Sequence, residues 1–218
     1  MSTLFRLDAS IRQDGSVSRA VADTLESTVL AELGGTSVVR RDVAADPVDP
    51  HVWGTAAFAG HTPEDQRSPA QRSALATAAS YADELAGADA LVFAVPLYNF
   101  GVSQHFKTWY DVVSTDHRFA PGTRTLAGRP GFLVTTRGGG YGEGTPRAGW
   151  DHATGWMRRV LEDVWGLDLE VIETELTLAE VTPAMADLRD LARQQVADSH
   201  DAARHAARSV TVRLRSVA

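Results

Sequence analysis

Three short stretches of this chain carry the residue types from which a ligand site could be made. The first is Ser10-Ile11-Arg12-Gln13-Asp14-Gly15-Ser16-Val17-Ser18-Arg19, a polar loop with three serines and two arginines. It leads into Val17, Val21, Leu25 and Val29 at helical spacing. A strand end, a cluster of hydroxyls and the unpaired amides of a first helical turn are the parts of an anion site. Ser16 or Ser18 in that place is equally a plain helix N-cap that binds nothing. The loop has neither a G-x-G-x-x-G pattern nor a lysine-bearing phosphate loop, so the anion that suits it is a monophosphate held by hydroxyls.

The second stretch, Val95-Pro96-Leu97-Tyr98-Asn99-Phe100-Gly101-Val102-Ser103, lies between a buried apolar run and a helix. Its aromatic rings and its small or polar residues suit a flat, heteroatom-rich ligand whose edge meets backbone amides. A loop whose rings merely cover the sheet edge would read the same way. The third stretch, Arg137 to Gly144, has five glycines in its last seven residues. Such a loop is expected to be no packed element, and either lets amides approach a ligand closely or flexes.

Composition narrows the chemistry around these stretches. A formal net charge of −7, with Lys107 as the single lysine, argues against a nucleic-acid backbone as partner. The absence of cysteine removes disulfides, thiolate metal sites and a cysteine nucleophile. His200 and His205 have no carboxylate at matching spacing, so they read as solvated side chains and no metal is expected. No signal-like leader or membrane-length apolar run is present, which leads to the expectation of a cytoplasmic protein without a membrane role.

The elements that would position the three stretches follow from periodicity and punctuation. Leu4–Ala9, Thr36–Val43, Ala90–Val95, Pro130–Thr136 and Asp168–Glu175 read as strands. Helices are expected from near Ser16, from Ser68-Pro69 to about Ala86, and from Gln104 to Val113. A fourth carries the stripe of Trp150, Ala153, Met157, Val160, Leu161 and Val164. The last starts at Thr182-Pro183 and reaches about Arg208. Ala44–Ser68 reads as a long loop, and its Trp53 and Phe58 are expected to pack on something such as a second subunit. With 218 residues and 44% hydrophobic content, residues 1–218 are expected to form one α/β domain. Five alternations of strand and helix imply a parallel sheet covered on both faces. The order 2-1-3-4-5 brings the three stretches to one rim, at a switch point between the first and third strands.

Taken together, these stretches resemble the FMN-dependent NADH-azoreductases, which are also NAD(P)H:quinone oxidoreductases of flavodoxin-like fold. The likeness runs from Leu4 to about Met185. It is carried by Pro96-Leu97-Tyr98-Asn99-Phe100 through Ser103 to Lys107, by Thr135-Thr136-Arg137-Gly138-Gly139, and by Arg41-Asp42-Val43-Ala44. The resemblance implies a flavodoxin-like three-layer sandwich that binds FMN and takes hydride from NADH or NADPH. It reduces quinones or aromatic azo compounds in a ping-pong cycle.

The resemblance also assigns residues. Ser10, Ser16, Val17 and Ser18 would hold the FMN phosphate. Leu97, Tyr98, Asn99 and Phe100 would line the isoalloxazine, and Thr136, Arg137, Gly138 and Gly139 would meet its pyrimidine side. Amides around Asn99 and Phe100 would serve the reactive edge, and Phe119 would lie over the flavin from the partner subunit of a homodimer. The chain departs from the family where members carry a Gly-Phe pair that walls the substrate pocket; here Glu162-Asp163-Val164-Trp165 stands instead. That difference leaves room for a specialised flavin oxidoreductase acting on a biosynthetic aromatic intermediate. A one-electron flavodoxin-like carrier is a second alternative. A serine hydrolase using Ser16 or Ser18 is a third, without a G-x-S-x-G elbow to support it.

Overall fold

The computed structural model describes residues 2–217. Strand β1 (Thr3–Asp8) lies in a parallel sheet between the edge strand β2 (Ser37–Asp42) and the central strand β3 (Ala90–Ala94). Strand β3 pairs with β6 (Pro130–Thr136), and β6 with β7 (Asp168–Thr174), so the order is β2-β1-β3-β6-β7. In chain order of the five large strands this is 2-1-3-4-5, as expected. A small antiparallel hairpin, β4 (Leu97–Tyr98) with β5 (Gly101–Val102), stands just beyond the end of β3.

Alternation along the strands sorts side chains onto two faces. Phe5, Leu7, Leu91, Phe93 and Leu133 face one layer, built of α3 (Pro69–Ala86), α4 (Gln104–Val113) and α5 (Thr154–Arg158). Leu4, Val92, Phe132 and Val134 face the other, formed by α1 (Val17–Glu32) and α6 (Arg189–Val217). The first face is rich in rings: Phe5, Phe93, Phe106, Trp109 and Trp165 are all fully buried, with Trp109 edge-on to Trp165 at 5.9 Å. Each such side chain contributes roughly 1.5–3 kcal/mol by leaving water.

Helix starts follow the local signals. Ser68 and Gln71 form a reciprocal capping box with Pro69 in the first turn of α3, and α3 ends at Ala86 as expected. Ser16 caps α1, through a long 3.5 Å bond from the Arg19 amide.

Several expectations need correction. Residues 44–68 are not an unstructured loop: α2 (Pro50–Ala59) is capped by Asp49 and opened by Pro50, a pair of signals overlooked beside Gly54 and Gly60. Trp53 and Phe58 of α2 are 49% and 75% exposed. The fourth helix begins at Thr154, not near Trp150, and continues as a π-helical segment, Arg159–Val164. The bond from the Trp165 amide to the Val160 carbonyl, 3.0 Å, is of the wider i to i−5 kind. After Thr182-Pro183 comes a 3-10 segment with a non-helical Met185; α6 proper starts at Arg189 and runs past Arg208 to Val217. His200 is half-buried and bonded to Thr24 at 2.7 Å, linking α6 to α1, whereas His205 is exposed as expected.

Candidate active site

The carboxyl ends of β1, β3 and β6 open onto a cleft of about 380 Å³, within the range of small-molecule sites. It sits where the strand order reverses, as the doubly wound topology dictates. Its walls are the serine loop after β1, the hairpin after β3 and the glycine loop after β6.

Serine loop. Ser10, Ser16 and Val17 line the cleft, together with Ile11 and Arg12. Ser18 does not: it is fully buried, with its hydroxyl 3.2 Å from that of Ser16. Its side chain supports Ser16 from behind and does not reach the surface of the cleft. Arg19 holds the loop from the outside. Its guanidinium donates to the carbonyls of Ser10 at 2.8 Å and Arg12 at 3.2 Å, while Asp42 grips it at 2.6 and 2.9 Å. Burial by itself raises the Asp42 carboxyl, but Arg19 and the amides of Ala44 and Ala45 outweigh it and hold it below the usual range. Deeper in the sheet, Arg6 forks onto Asp8 at 2.9 and 3.0 Å. Burial there dominates and raises the Asp8 carboxyl in spite of its arginines.

Hairpin. Leu97, Tyr98, Asn99 and Phe100 all line the cleft, as does Pro96. Asn99 and Phe100 both have positive φ, 48° and 66°. That is the backbone of a two-residue turn of the primed kind, which matches the twist of a hairpin. Asn tolerates it; a phenylalanine there is strained, and such strain tends to accumulate at functional sites. Among the described residues, neither amide of the turn has an acceptor. Tyr98 crosses the switch point, its hydroxyl accepting from the Ile11 amide at 3.1 Å and lying 3.4 Å from the Ser10 hydroxyl. The buried Ser103 hydroxyl donates to the Ala9 carbonyl at 3.3 Å. Two loops that are almost ninety residues apart in the chain are thereby tied together.

Glycine loop. Thr136, Gly138 and Gly139 line the cleft, joined by Tyr141 and Arg147 and, from the segment after β7, Thr177 and Leu178. Contrary to expectation this loop is packed and braced. The carbonyls of Arg137, Gly138 and Gly139 accept from Thr177, Leu178 and Leu176 at 3.1 to 3.2 Å. The amides of Gly138 and Gly139 have no acceptor among the described residues. A Cβ at Gly138 would lie 2.7 Å from Leu178 Cδ1, which explains the glycine there.

Arg137 itself turns away from the cleft. Its buried guanidinium binds Asp151 at 2.7 Å, Glu173 at 2.8 Å and Thr154 at 3.0 Å, with Glu175 at 3.4 Å. Burial raises the Asp151 carboxyl, but bonds from Thr154 and Ala153 and the charge of Arg137 more than reverse this.

Two further expectations do not match the placement of the side chains. Phe119 is 1% exposed and packs edge-on against Trp165 at 5.3 Å, inside its own core and not out toward a partner's cleft. Trp165 is likewise core, while Glu162 and Asp163 pair with Arg158 and Arg159 on the surface. The Glu162–Trp165 segment therefore does not wall the cleft. The aromatic lining comes from Phe100 and from Tyr141, 6.3 Å from that ring, and Trp150, 52% exposed, stands edge-on to Phe100 at 5.4 Å. Arg12 and Tyr141 lay within stretches already singled out by composition. Arg147, Thr177 and Leu178 carried no sequence signal, because only the fold of the glycine loop and its pairing with residues 176–178 bring them to the rim.

A parallel sheet with this switch-point cleft defines a doubly wound, mononucleotide-type binding protein. The chain belongs to the flavodoxin-like fold family, whose model matches residues 2–204. It is 36% identical to an FMN-dependent NADH:quinone oxidoreductase of Frankia alni over 94% of this chain and 98% of that one. A protein of the same name from Streptomyces coelicolor is 35% identical over 98% of this chain and 97% of its own length. Among solved structures, the azoreductase AzrA superposes with a TM-score of 0.76 at 20% identity, covering 94% of this chain and 99% of that one. An FMN-dependent NADH-azoreductase from Bacillus anthracis in complex with FMN does so at 0.76 and 14%, covering 97% and 100%. The likeness to these structures is one of fold.

Proposed function

We propose that this chain is an FMN-dependent oxidoreductase that uses NADH or NADPH to reduce quinones and aromatic azo compounds. The observation that carries the reading is the pairing of two kinds of donor in one cleft. Ser10, Ser16 and the first turn of α1 offer hydroxyls and free amides to a phosphate. At the other end, the unpartnered amides of Asn99, Phe100, Gly138 and Gly139 face the same space. Amides without a protein acceptor are completed by water or by a ligand, so the convergence of four of them on one cleft supports a planar, heteroatom-edged group such as FMN. The identity to FMN-dependent NADH:quinone oxidoreductases over nearly the full chain supports the same choice.

When bound, FMN supplies the capacity to accept and donate hydride. The residues of the chain bind, orient and polarise. The Asn99 and Phe100 amides would hold the flavin's reactive edge, and the Gly138 and Gly139 amides its pyrimidine edge, as hydrogen-bond donors. Phe100, Tyr141 and Trp150 form an aromatic rim on which a nicotinamide and an acceptor stack in turn. No side-chain nucleophile is needed.

Residues 1–218 act as one domain in the cytoplasm, with a small aromatic molecule as the acceptor. No helix among the described residues is long and apolar enough to cross a membrane, and no group of His, Asp and Glu there could hold a metal ion. The exposed Trp53 and Phe58 on α2 are where a second copy would pack to form a homodimer.

An anaerobic absorbance experiment tests the reading. The flavin band of the purified protein should bleach on NADH addition and return on adding a quinone; a bound flavin that ignores both nicotinamides would point to an electron carrier. Asn99→Ala should reduce turnover more than FMN content, and equal loss of both would remove Asn99 from its assigned role.

A further inference from the structure

The cleft is lined by two arginines, Arg12 and Arg147, and by no carboxylate, in a chain whose net charge is −7. Arg12 belongs to the serine loop and stands with the hydroxyls assigned to the phosphate. Arg147 is on the opposite wall, and one phosphate leaves it unused.

Arg147 is an exposed side chain on the rim of the cleft. Its guanidinium folds back over Gly139, into the space where a Cβ of that residue would stand. Its Cζ is 5.9 Å from the centre of the Tyr141 ring. The guanidinium makes no ion pair among the described residues, and Glu173 and Glu175 are both bound by Arg137. The backbone that carries it is fixed at several points. The Tyr141 amide donates to Glu175 at 2.9 Å, the Trp150 amide to the Arg147 carbonyl at 3.0 Å, and the His152 amide to the Phe100 carbonyl at 2.9 Å. A planar fork of N–H donors is thus set beside the Tyr141 ring of the rim.

We propose that Arg147 forms an anion subsite at the mouth of the cleft, which selects planar aromatic acceptors bearing a carboxylate or sulfonate group. The ring of such a molecule stacks on Phe100, Tyr141 and Trp150 while its anionic substituent takes the guanidinium edge, the geometry for which arginine is suited. The subsite supplies preference and not chemistry: no proton or electron passes through Arg147. This inference rests on the oxidoreductase reading above for its acceptor, but the binding of an aromatic anion can be measured apart from turnover.

The test uses the full chain loaded with FMN. Calorimetric titration with naphthalene-2-sulfonate is compared with titration by neutral 2-naphthamide, for the wild type, Arg147→Gln and Arg147→Lys. The glutamine variant should weaken sulfonate binding about tenfold, the scale of one charge-assisted hydrogen bond, relative to the neutral compound. The lysine variant should recover part of the difference, and added salt should erase it in the wild type and the lysine variant but change nothing in the glutamine variant. In turnover, the ratio of kcat/KM for anthraquinone-2-sulfonate to that for 1,4-naphthoquinone should fall by a similar factor in Arg147→Gln. An unchanged sulfonate-to-amide ratio overturns the subsite. So does a variant whose only change is in NADPH against NADH, which would give Arg147 to the dinucleotide. Discrimination in binding with no NADH consumption by any quinone would instead overturn the oxidoreductase reading and leave the subsite standing.

Discussion

The serine loop and the glycine loop face each other across the same cleft, and each is held from behind by an arginine that never enters it. Arg19 grips the serine loop through two of its carbonyls and is itself anchored by Asp42. Arg137 grips the glycine loop through side chains, gathering Asp151, Glu173 and Glu175 around one buried guanidinium. The first device orients backbone: carbonyls drawn outward leave hydroxyls and amides to face a ligand. The second gathers separate segments, binding the end of β6 to the strand β7 and to the start of α5. The contrast teaches that Arg19 acts on ligand affinity and Arg137 on the integrity of the fold.

Removing each arginine separates the two roles. Arg137→Ala should cost about 3 kcal/mol, because three carboxylates lose their shared partner and two of them are largely buried. For a chain of this size that is a fall in Tm of roughly 6–12 °C, measured by thermal denaturation. A fall no larger than that of Arg19→Gln would undo the contrast. Arg19→Gln should instead raise the Kd for FMN about tenfold, the worth of charge-assisted hydrogen bonds to the loop, and leave that for riboflavin nearly unchanged. Equal weakening of both flavins would mean general loosening and not a phosphate loop held in shape.

Acid sharpens the same difference. Asp42 and Asp151 are both depressed in the folded protein, so each adds stability that is fully present above the unfolded value of about 3.9 and lost as pH falls through the lower folded value. FMN release followed by fluorescence should therefore steepen below about pH 4, and Asp42→Asn should remove the contribution of the serine loop at every pH. The smallest effect is expected at the hairpin. Phe100→Gly relieves a positive φ worth about 1 kcal/mol but deletes a rim ring, so Tm should move by only a few degrees while affinity for planar acceptors falls.

Periodicity and punctuation were sufficient for much of the framework. The alternating strands, Ser68-Pro69 and the apolar run ending at Pro96 act locally, so β6 and α3 fall where their residues indicate. The likeness of Pro96–Lys107 and of Thr135–Gly139 to a known family added the cleft, and ten of the residues it pointed to do line it. What failed was whatever depended on where a side chain ends up. Ser18 and Phe119 have the right types at the right spacing, yet one backs its neighbour and the other fills the core. Asp49-Pro50 was a legible helix start, hidden by two glycines that α2 tolerates.

By itself, then, the order of residues determined the alternation of strand and helix, the place of the three loops at strand ends and the kind of group they could hold, because hydrophobic period, capping and backbone freedom are short-range properties. Only the tertiary structure decided which way each polar side chain faces. Arg19, in the first turn of α1, and Arg137 and Arg147, in the glycine loop, are chemically the same residue. The first two turn away from the cleft, where carboxylates on β2, β7 and the segment before α5 compensate their charge, and the third, without such a partner among the described residues, lies over Gly139.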